Sequence, residues 1–305
     1  MIELVGSVEG HYSVELYRVD SNGVEVPGTR RQPVPPFKNL ITNIGLDRMA
    51  VSADWLGFCQ VGSGTSTPVF TDTALGSRIS GVNYISDVPS AQPSAPYFAS
   101  TTRTFRFAAG VATGNLSEVG VGWAATGSLF SRALIVDTAG SPTTITVLAD
   151  ETLDVTYQFR CYPPLVDTSG TVVIAGVSYS WVGRASQVNS INARQGWIAP
   201  EAGVLVYSET FCAYNGPIGS IVQTPAGAIA YGASTTALAY SPGTYSREGT
   251  MTFDLVQGNV AGGISAISYR HGIGSYQIGF SPSIPKDGSK VLSLTVRTTW
   301  ARKTI

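Results

Sequence analysis

Charged side chains are scarce in this chain. Asp, Glu, Lys and Arg supply 13% of its 305 residues, about half of the roughly 25% found in an ordinary soluble domain, and residues 210–246 contain none of them. The net charge is −1 and the basic residues are scattered, which excludes the clustered basic face of a nucleic-acid-binding protein. A chain with such wide uncharged surfaces usually covers part of them with partners. We therefore expect assembly into a larger particle and no nucleic-acid partner.

Long apolar runs and paired cysteines are also missing. No stretch of about 20 apolar residues occurs, so we expect no membrane span. Glu3 and Glu9 stand where a signal peptide needs basic and then apolar residues. Cys59, Cys161 and Cys212 have no CxxC spacing, which favours buried thiols over a disulfide framework. These features predict synthesis in a reducing cytosol without a cleaved export signal.

The residues that enzymes use most are few. Only His11 and His271 are present, and neither has a second His or Cys at metal-ligand spacing. No GxSxG serine-hydrolase motif occurs. The segment 62–65 (GSGT) resembles a phosphate-binding loop, but the lysine that such a loop needs does not follow it. We expect no cofactor, no metal and no enzymatic activity.

Four carboxylates are the remaining catalytic candidates. Asp150, Glu151 and Asp154 cluster in a turn and at the start of a strand, and Glu118 lies within an apolar strand. A pair of carboxylates could cleave a glycosidic bond. Neighbouring strand residues, however, point to opposite faces, and turn carboxylates are usually solvated. A structural role for all four is the favoured interpretation.

One segment of the chain is repeated. Residues 102–119 (TRTFRFAAGVATGNLSEV) align without gaps with residues 250–267 (TMTFDLVQGNVAGGISAI), 148 positions later. The aligned pairs include Phe105 with Phe253, Gly110 with Gly258, Gly114 with Gly262, Glu118 with Ala266 and, outside the segment, Tyr97 with Tyr245. Shared glycines indicate shared backbone demands. Residues 147–162 and 283–300 also resemble each other. We predict a duplicated domain, with copies at 1–165 and 166–305.

Most of the sequence consists of short apolar–polar alternations separated by Gly, Pro, Asn and Ser, which is typical of β-strands and turns. Residues 37–50 (FKNLITNIGLDRMA) predict the one helix, with Asn39 as its cap. Residues 210–246 predict a long loop with short edge strands. The predicted fold is all-β, with two tandem, internally duplicated β-sandwich-like domains and one short helix near the N-terminus.

Five tyrosines are candidates for an exposed contact surface. They lie in segments rich in Gly, Ser and Pro: Tyr84, Tyr97, Tyr231, Tyr240 and Tyr245. Tyrosine in such loops provides rigid, amphipathic contact area. The alternative is that these rings anchor loops by packing onto the sheet. The repetition of Tyr97 as Tyr245 favours anchoring, because an anchor would be kept in both copies.

Two neighbouring segments resemble a pattern common in tailed-bacteriophage virion proteins. In that pattern N-L-I-T-x-x-G-L precedes G-x-G-x-x-x-P-x-x-x-D-T-x-L, and residues 39–46 and 62–75 have this form. Residues 116–164 look like its continuation, and residues 276–302 are similar to the C-terminal strands of phage tail and fibre proteins. The shared motifs are turns and strands, so no receptor-binding or catalytic residue carries over.

The resemblance implies a phage virion protein made in the host bacterial cytoplasm. We expect a structural component of the tail apparatus (fibre, baseplate or collar) that acts by assembly, with host-surface attachment as a further role. A capsid decoration or head-fibre protein and a surface-polysaccharide depolymerase are the alternatives. The expected partners are copies of the chain in a closed oligomer such as a trimer, other virion proteins and a host cell-surface receptor.

Overall fold

The computed structural model of the chain describes residues 1–52, 54–190, 211–271 and 274–303. Strands contain 52% of the residues and helix 3%, which confirms the predicted all-β class with one short helix. In chain order the elements are β1 (Ile2–Arg18), β2 (Phe37–Lys38), β3 (Leu40–Ile41), α1 (Asn43–Met49), β4 (Phe58–Gly62), β5 (Arg78–Ala91), β6 (Ala99–Phe107), β7 (Gly114–Leu116), β8 (Glu118–Gly122), β9 (Leu129–Leu134), β10 (Ile145–Val147), β11 (Glu151–Tyr162), β12 (Thr168–Ile174), β13 (Val177–Ala185), β14 (Cys212–Tyr214), β15 (Ile229–Tyr231), β16 (Ser234–Ala237), β17 (Ser246–Phe253), β18 (Ile264–His271), β19 (Gly274–Ile284) and β20 (Leu292–Arg302).

The described strands form one large curled sheet and two smaller sheets. The large sheet has the order β16-β17-β20-β1-β11-β6-β5-β4-β8-β9-β3, and β2 also pairs with β1. A six-stranded sheet has the order β12-β13-β19-β18-β14-β15, and β7 pairs with β10. The short strands β15 and β16 end their sheets, so residues 210–246 contain the edge strands that the sequence predicted.

Strand β1 joins the N-terminal and C-terminal parts of the chain. Its residues 7–18 pair antiparallel with β11, and its residues 2–8 pair parallel with β20. Alternate side chains along β1 are buried, including those of Leu4, Val8, Tyr12 and Val14, as expected for a strand that covers a core with one face. The same hydrophobic cluster contains residues from both sides of the predicted boundary at 165. The division into domains 1–165 and 166–305 stays a prediction.

The helix is shorter than the sequence predicted. It begins at Asn43 with Thr42 as its cap, and residues 37–41 belong to β2 and β3. Thr42 Oγ1 accepts a hydrogen bond from Gly45 N at 2.9 Å and donates one to Leu129 O at 2.6 Å. Asn39 was the wrong cap, because pairing with β1 and β9 competes successfully with helix formation in this segment.

The predicted cysteine chemistry is confirmed. Cys59, Cys161 and Cys212 are buried and carry free thiols. Burial raises the pKa of all three thiols, so they stay protonated at neutral pH and act as small apolar side chains. No helix among the described residues has the length and apolar character needed to cross a membrane.

Trp300 links the last strand to the first half of the chain by packing and by a hydrogen bond. It is 1% exposed, and its indole N–H donates to Leu46 O in the middle of α1, at 3.0 Å. The ring stacks on Tyr240 with centroids 6.2 Å apart. One side chain of β20 therefore packs against a helix that lies more than 250 residues earlier in the sequence.

We predict that Trp300→Phe lowers the free energy of unfolding by about 1–3 kcal/mol, because it removes the buried indole hydrogen bond to Leu46 O. Trp300→Ala should cost about 3–5 kcal/mol. Denaturant unfolding measures both. Trp181→Phe is the matched control, since Trp181 is also buried but its indole N–H has no hydrogen-bond partner among the described residues. Equal losses for the two Phe variants would contradict the assigned role of the Trp300 hydrogen bond.

Candidate functional site

The most deeply buried charged group of the described chain is an ion pair between β8 and β9. Glu118 is 0% exposed and Arg132 is 2% exposed. Arg132 donates from Nε and Nη2 to Glu118 Oε2, at 3.0 and 2.8 Å. A buried charge is stable only when it is paired and hydrogen-bonded. The groups that contact this pair therefore indicate whether its role is catalytic or structural.

A loop over the pair, residues 63–77, directs its backbone N–H groups at the carboxylate. Gly64 N and Ser77 N donate to Glu118 Oε1 at 3.0 and 2.7 Å, and Gly76 N donates to Oε2 at 3.0 Å. A Cβ on Gly64 would collide with Oε1. The loop thus surrounds an anion with backbone N–H groups, and that anion is the chain's own carboxylate. Of the GSGT segment, only Gly64 contributes one of these N–H groups.

Arg132 holds the middle of the same loop. Its Nη1 donates to Asp72 Oδ2 at 2.8 Å, and its Nη2 donates to Ser66 O and Ser66 Oγ at 3.0 and 2.9 Å. Asp72 Oδ2 also accepts from Val69 N at 2.9 Å. Glu118 and Arg132 therefore hold both ends and the centre of the loop. We call this ion pair the loop clip.

The electrostatics of the loop clip keep it ionised. Burial alone would raise the pKa of Glu118, but the N–H groups of Ser77 and Gly76 and the Arg132 guanidinium outweigh burial, so the pKa is lowered. Burial likewise opposes the charge of Arg132, and its hydrogen bonds to Asp72 and Glu118 raise its pKa. A carboxylate held ionised under a loop cannot donate a proton at neutral pH, which argues against a general acid.

The second half has a neutral counterpart of the clip. Gln277 on β19 is 0% exposed. Its Oε1 accepts from Gly219 N at 2.7 Å, and its Nε2 donates to Gly219 O and Ser220 O at 3.1 and 2.8 Å. Ala266, the repeat partner of Glu118, pairs with Gly279 as Glu118 pairs with Leu134. A buried amide here holds the loop that covers the sheet, so this arrangement does not depend on charge.

The other candidate carboxylates are all engaged with arginines. Arg106 donates to both oxygens of Asp154 at 2.8 Å. Arg31 contacts Glu151 at 3.0 Å. The Arg18–Asp150 pair, at 2.9 Å, is exposed to solvent. The structure brings Asp154 and Glu151 onto β11 with buried side chains, and each has its own arginine. The sequence interpretation of these residues as structural groups agrees with this geometry.

The histidines and metal candidates add no further centre. His11 contacts Glu9 Oε1 at 2.5 Å, and burial followed by the nearby Arg160 lowers its pKa, so it is neutral at pH 7. The side chain of His271 lies outside the described residues. Within the described ranges, no group of three or more His, Cys, Asp or Glu residues could hold a metal ion.

Three of the five candidate tyrosines are partly buried anchors. Tyr97, Tyr240 and Tyr245 pack against the hydrophobic core. Tyr240 also donates its hydroxyl to Asp47 Oδ1 at 2.5 Å; burial and this carboxylate raise the pKa of the phenol. Tyr245 has a φ of 47° and its carbonyl accepts from Trp300 N at 2.9 Å. These contacts correspond to the anchoring interpretation.

The other two tyrosines lie on strands and are exposed. Tyr84 is in β5 and is 42% exposed, and Tyr231 ends β15 and is 71% exposed. The Arg103 guanidinium lies over the Tyr84 ring, 4.3 Å from its centroid. Both tyrosines can therefore contact a partner, although from strands and not from loops as the sequence suggested.

Strand β5 is the exposed surface that sequence reasoning missed. None of its 14 residues is buried, and Ile79, Tyr84, Ile85 and Val88 are 37%, 42%, 54% and 57% exposed. Its first part pairs with β4 and its second part with β6, with a register shift between residues 84 and 86. The apolar residues of β5 fall at positions 79, 82, 84, 85 and 88 and do not alternate strictly, so the sequence pattern does not predict one buried face.

Comparisons with protein-family models, with curated proteins and with solved structures found no match to this chain. The residues that carry the phage resemblance have structural roles in this molecule. Thr42 caps α1, and a Cβ on Gly45 would collide with Phe130 O. Asp72 and Gly64 contact the loop clip. In this chain these residues therefore fix how α1 and the loop 63–77 pack onto β8 and β9.

We predict that Glu118→Gln lowers the free energy of unfolding by about 3 kcal/mol or more, because it removes the charge that pairs with buried Arg132. Equilibrium denaturation at pH 7 measures the loss. Asp150→Asn is the control, since its exposed ion pair should contribute at most about 1 kcal/mol. A Glu118→Gln protein as stable as the control would contradict the structural role of the loop clip.

The pH dependence of stability should change as well. The folded-state pKa of Glu118 is lowered, so its stabilisation is present above the unfolded carboxyl value of about 4.3 and is lost as pH falls through the folded-state pKa. Glu118→Gln should therefore lose less stability than the parent protein between neutral and acidic pH. Parallel curves for the two proteins would contradict an ionised Glu118.

Proposed function

We propose that this chain is a bacteriophage virion structural protein of the tail apparatus, a fibre, baseplate or collar component that works by assembly. The observation that carries the proposal is the uncovered apolar strand β5. The low charge content of the sequence and its resemblance to virion proteins support the same function. The candidate carboxylates, each held by an arginine, make the depolymerase alternative less favoured.

The chemistry of β5 suits an interface with another protein. Its exposed apolar side chains share the strand with only two charged residues, and both are engaged: Arg78 donates to Ala125 O at 2.7 Å, and Asp87 pairs with Arg103 at 2.8 Å. An interface core is depleted in free charge and enriched in aromatic residues. Exposed strands of this kind recruit other chains unless charges protect them. We infer that β5 is covered in the assembled particle.

We also infer that the two halves arose by duplication. Matching strands pair in matching ways: Ser86 with Thr104 on β5–β6, and Ser234 with Thr252 on β16–β17, a constant separation of 148 residues. The repeated Phe105 and Phe253 are both fully buried. The repeated glycines all have positive φ angles, which favour glycine: Gly110 and Gly258 at 84° and 65°, Gly114 and Gly262 at 125° and 84°.

Each half is proposed to be sandwich-like, with a layer continuous with β1 facing a second layer across the core. Contacts between such layers support this arrangement. In the first half, Tyr12 on β1 shares a 2.7 Å hydrogen bond with Ser131 on β9, and Phe130 packs edge-on against Phe159. In the second half, Tyr276 on β19 donates to Val5 O on β1 at 2.7 Å.

Closed symmetry is the rule for homo-oligomers, and a trimer or another closed ring of this chain is the proposed unit. Neighbouring virion proteins are further partners. The exposed Tyr231 and the edge strands around it are the proposed display surface for a host receptor. A capsid decoration protein would use the same surfaces, and the number of copies per particle distinguishes the two: many tens for decoration, a few symmetric sets for a tail component.

We predict that Ile85→Lys combined with Val88→Lys reduces the oligomeric mass of the purified protein, because two buried charges would destabilise the interface. Light scattering after size-exclusion chromatography measures the mass. Val24→Lys, at a 61% exposed position outside β5, is the matched control and should leave the mass unchanged. A monomeric parent protein, or a double variant with unchanged oligomeric mass, would contradict the assignment of β5 as a self-association surface.

Immunogold electron microscopy of phage particles from lysed producing cells tests the place in the virion. Antibody against this chain should label the tail or its tip. Label spread over the head would replace the tail assignment by capsid decoration. Absence of label on both intact and disrupted particles would contradict a virion role.

A further inference from the structure

A buried lysine meets an asparagine amide at the end of the β17–β20 ladder. Lys286 is 5% exposed. Its Nζ lies 2.7 Å from Asn259 Oδ1 and 3.1 Å from Asp287 O. The two residues come from different turns, one after β17 and the other before β20. Lysine is rarely buried without an ionic partner, and neither acceptor of the amine is a carboxylate. The burial of this lysine therefore needs an explanation.

The asparagine amide is held in a fixed orientation. Asn259 Nδ2 donates to Leu255 O at 2.8 Å, so the amide oxygen faces the lysine and the amide nitrogen faces away from it. Asp254 shapes the same turn by accepting from Val256 N and Gln257 N at 2.9 and 3.0 Å. The turn therefore holds the amide within hydrogen-bond distance of the amine, which is the proximity that an attack at close range requires.

The surroundings of the amine favour its neutral form more than water does. Burial lowers the pKa of Lys286, opposed by the charges of Asp254 and Asp287 and assisted by that of Lys290. Desolvation of a lysine makes its neutral, nucleophilic form more accessible. Lys290 itself pairs with Asp287 Oδ2 at 2.5 Å, so the neighbouring lysine is occupied elsewhere.

We propose that Lys286 and Asn259 form an intramolecular isopeptide bond. The neutral amine of Lys286 attacks Asn259 Cγ, the new Nζ–Cγ bond forms, and the Cγ–Nδ2 bond breaks. One proton passes from the amine to the departing nitrogen, which leaves as ammonia. No oxidant, reductant or further reactant is consumed. The product is a secondary amide that joins the turn after β17 to the turn before β20.

The bond would lie where it can stabilise the β17–β20 ladder in an assembling protein. Phe253 pairs with Leu292 as the last rung of the β17–β20 ladder, and the cross-link closes the ladder just beyond this rung. Strands at that end could then not separate unless a covalent bond broke. In the first half, the repeat aligns Asn259 with Val111. The β6–β11 pair Phe105–Val155 matches the β17–β20 pair Phe253–Leu292, which places Ala149 opposite Lys286. Neither Val111 nor Ala149 can form such a bond, so we expect the cross-link in the second half alone.

Intact-protein mass spectrometry of the purified full chain tests the proposal. The expected mass is lower than the sequence mass by one ammonia, about 17 Da, and fragment spectra should contain one branched peptide that joins Asn259 to Lys286. Lys286→Arg and Asn259→Ala should each have their full sequence mass. Lys290→Arg, in the same turn, is the matched control and should still lose ammonia.

Two results would overturn the proposal. The first is a parent protein that keeps its full sequence mass after prolonged incubation at about pH 9, where a larger fraction of lysine is neutral. The second is a loss of ammonia that persists in Lys286→Arg, which would place the reaction at another residue. Because the parent protein alone gives the first result, the test does not depend on the folding of any variant. It is also independent of the virion assignment.

Discussion

The structure depends on one strand that serves both halves of the chain. Strand β1 pairs antiparallel with β11 on one side and parallel with β20 on the other, so the first residues of the sequence are bonded to the last strand. A buried backbone group that loses its partner costs free energy. Neither half can therefore keep its complete sheet when the other half unfolds. The duplication that we propose would have produced two similar units that share this strand instead of two independent domains.

The loops that cover the sheets are the second level of the architecture. In the first half a buried carboxylate and guanidinium fix residues 63–77, and in the second half the amide of Gln277 fixes the covering segment around Gly219. Charged and neutral groups achieve the same result, namely the satisfaction of loop N–H and C=O groups that would otherwise be buried unpaired. This equivalence is the physical reason for assigning Glu118 and Arg132 to structure, and it leaves the exposed strands as the surfaces available for partners.

Much of the fold is predictable from local patterns. Alternation of apolar and polar residues predicted the β class, and the structure confirms it. The helix existed where the apolar spacing placed it, but strand pairing removed its first residues and made Thr42 its cap. Such pairing joins residues distant in sequence, so local spacing carries no sign of it. The same limit applies to Tyr240, whose anchor Asp47 lies 193 residues away.

The exposure of β5 could not be predicted for a related reason. Its apolar residues fall on both faces of the strand, and only the position of neighbouring elements decides whether a face is covered. Here β4 pairs with the first part and β6 with the second part. Val82 packs against the hydrophobic core, whereas Ile79, Ile85 and Val88 stay exposed. Burial is a property of the assembled sheet, and in our account the missing cover is another protein molecule.

The central claim is that β1 makes the two halves one cooperative unit. Native-state hydrogen exchange, followed by mass spectrometry in increasing denaturant, tests it most directly. The account predicts that the amides of β6 and β11 and those of β17 and β20 exchange through one common opening with the same free energy. Exchange of β17 and β20 through a smaller opening, while β6 and β11 remain protected, would contradict it.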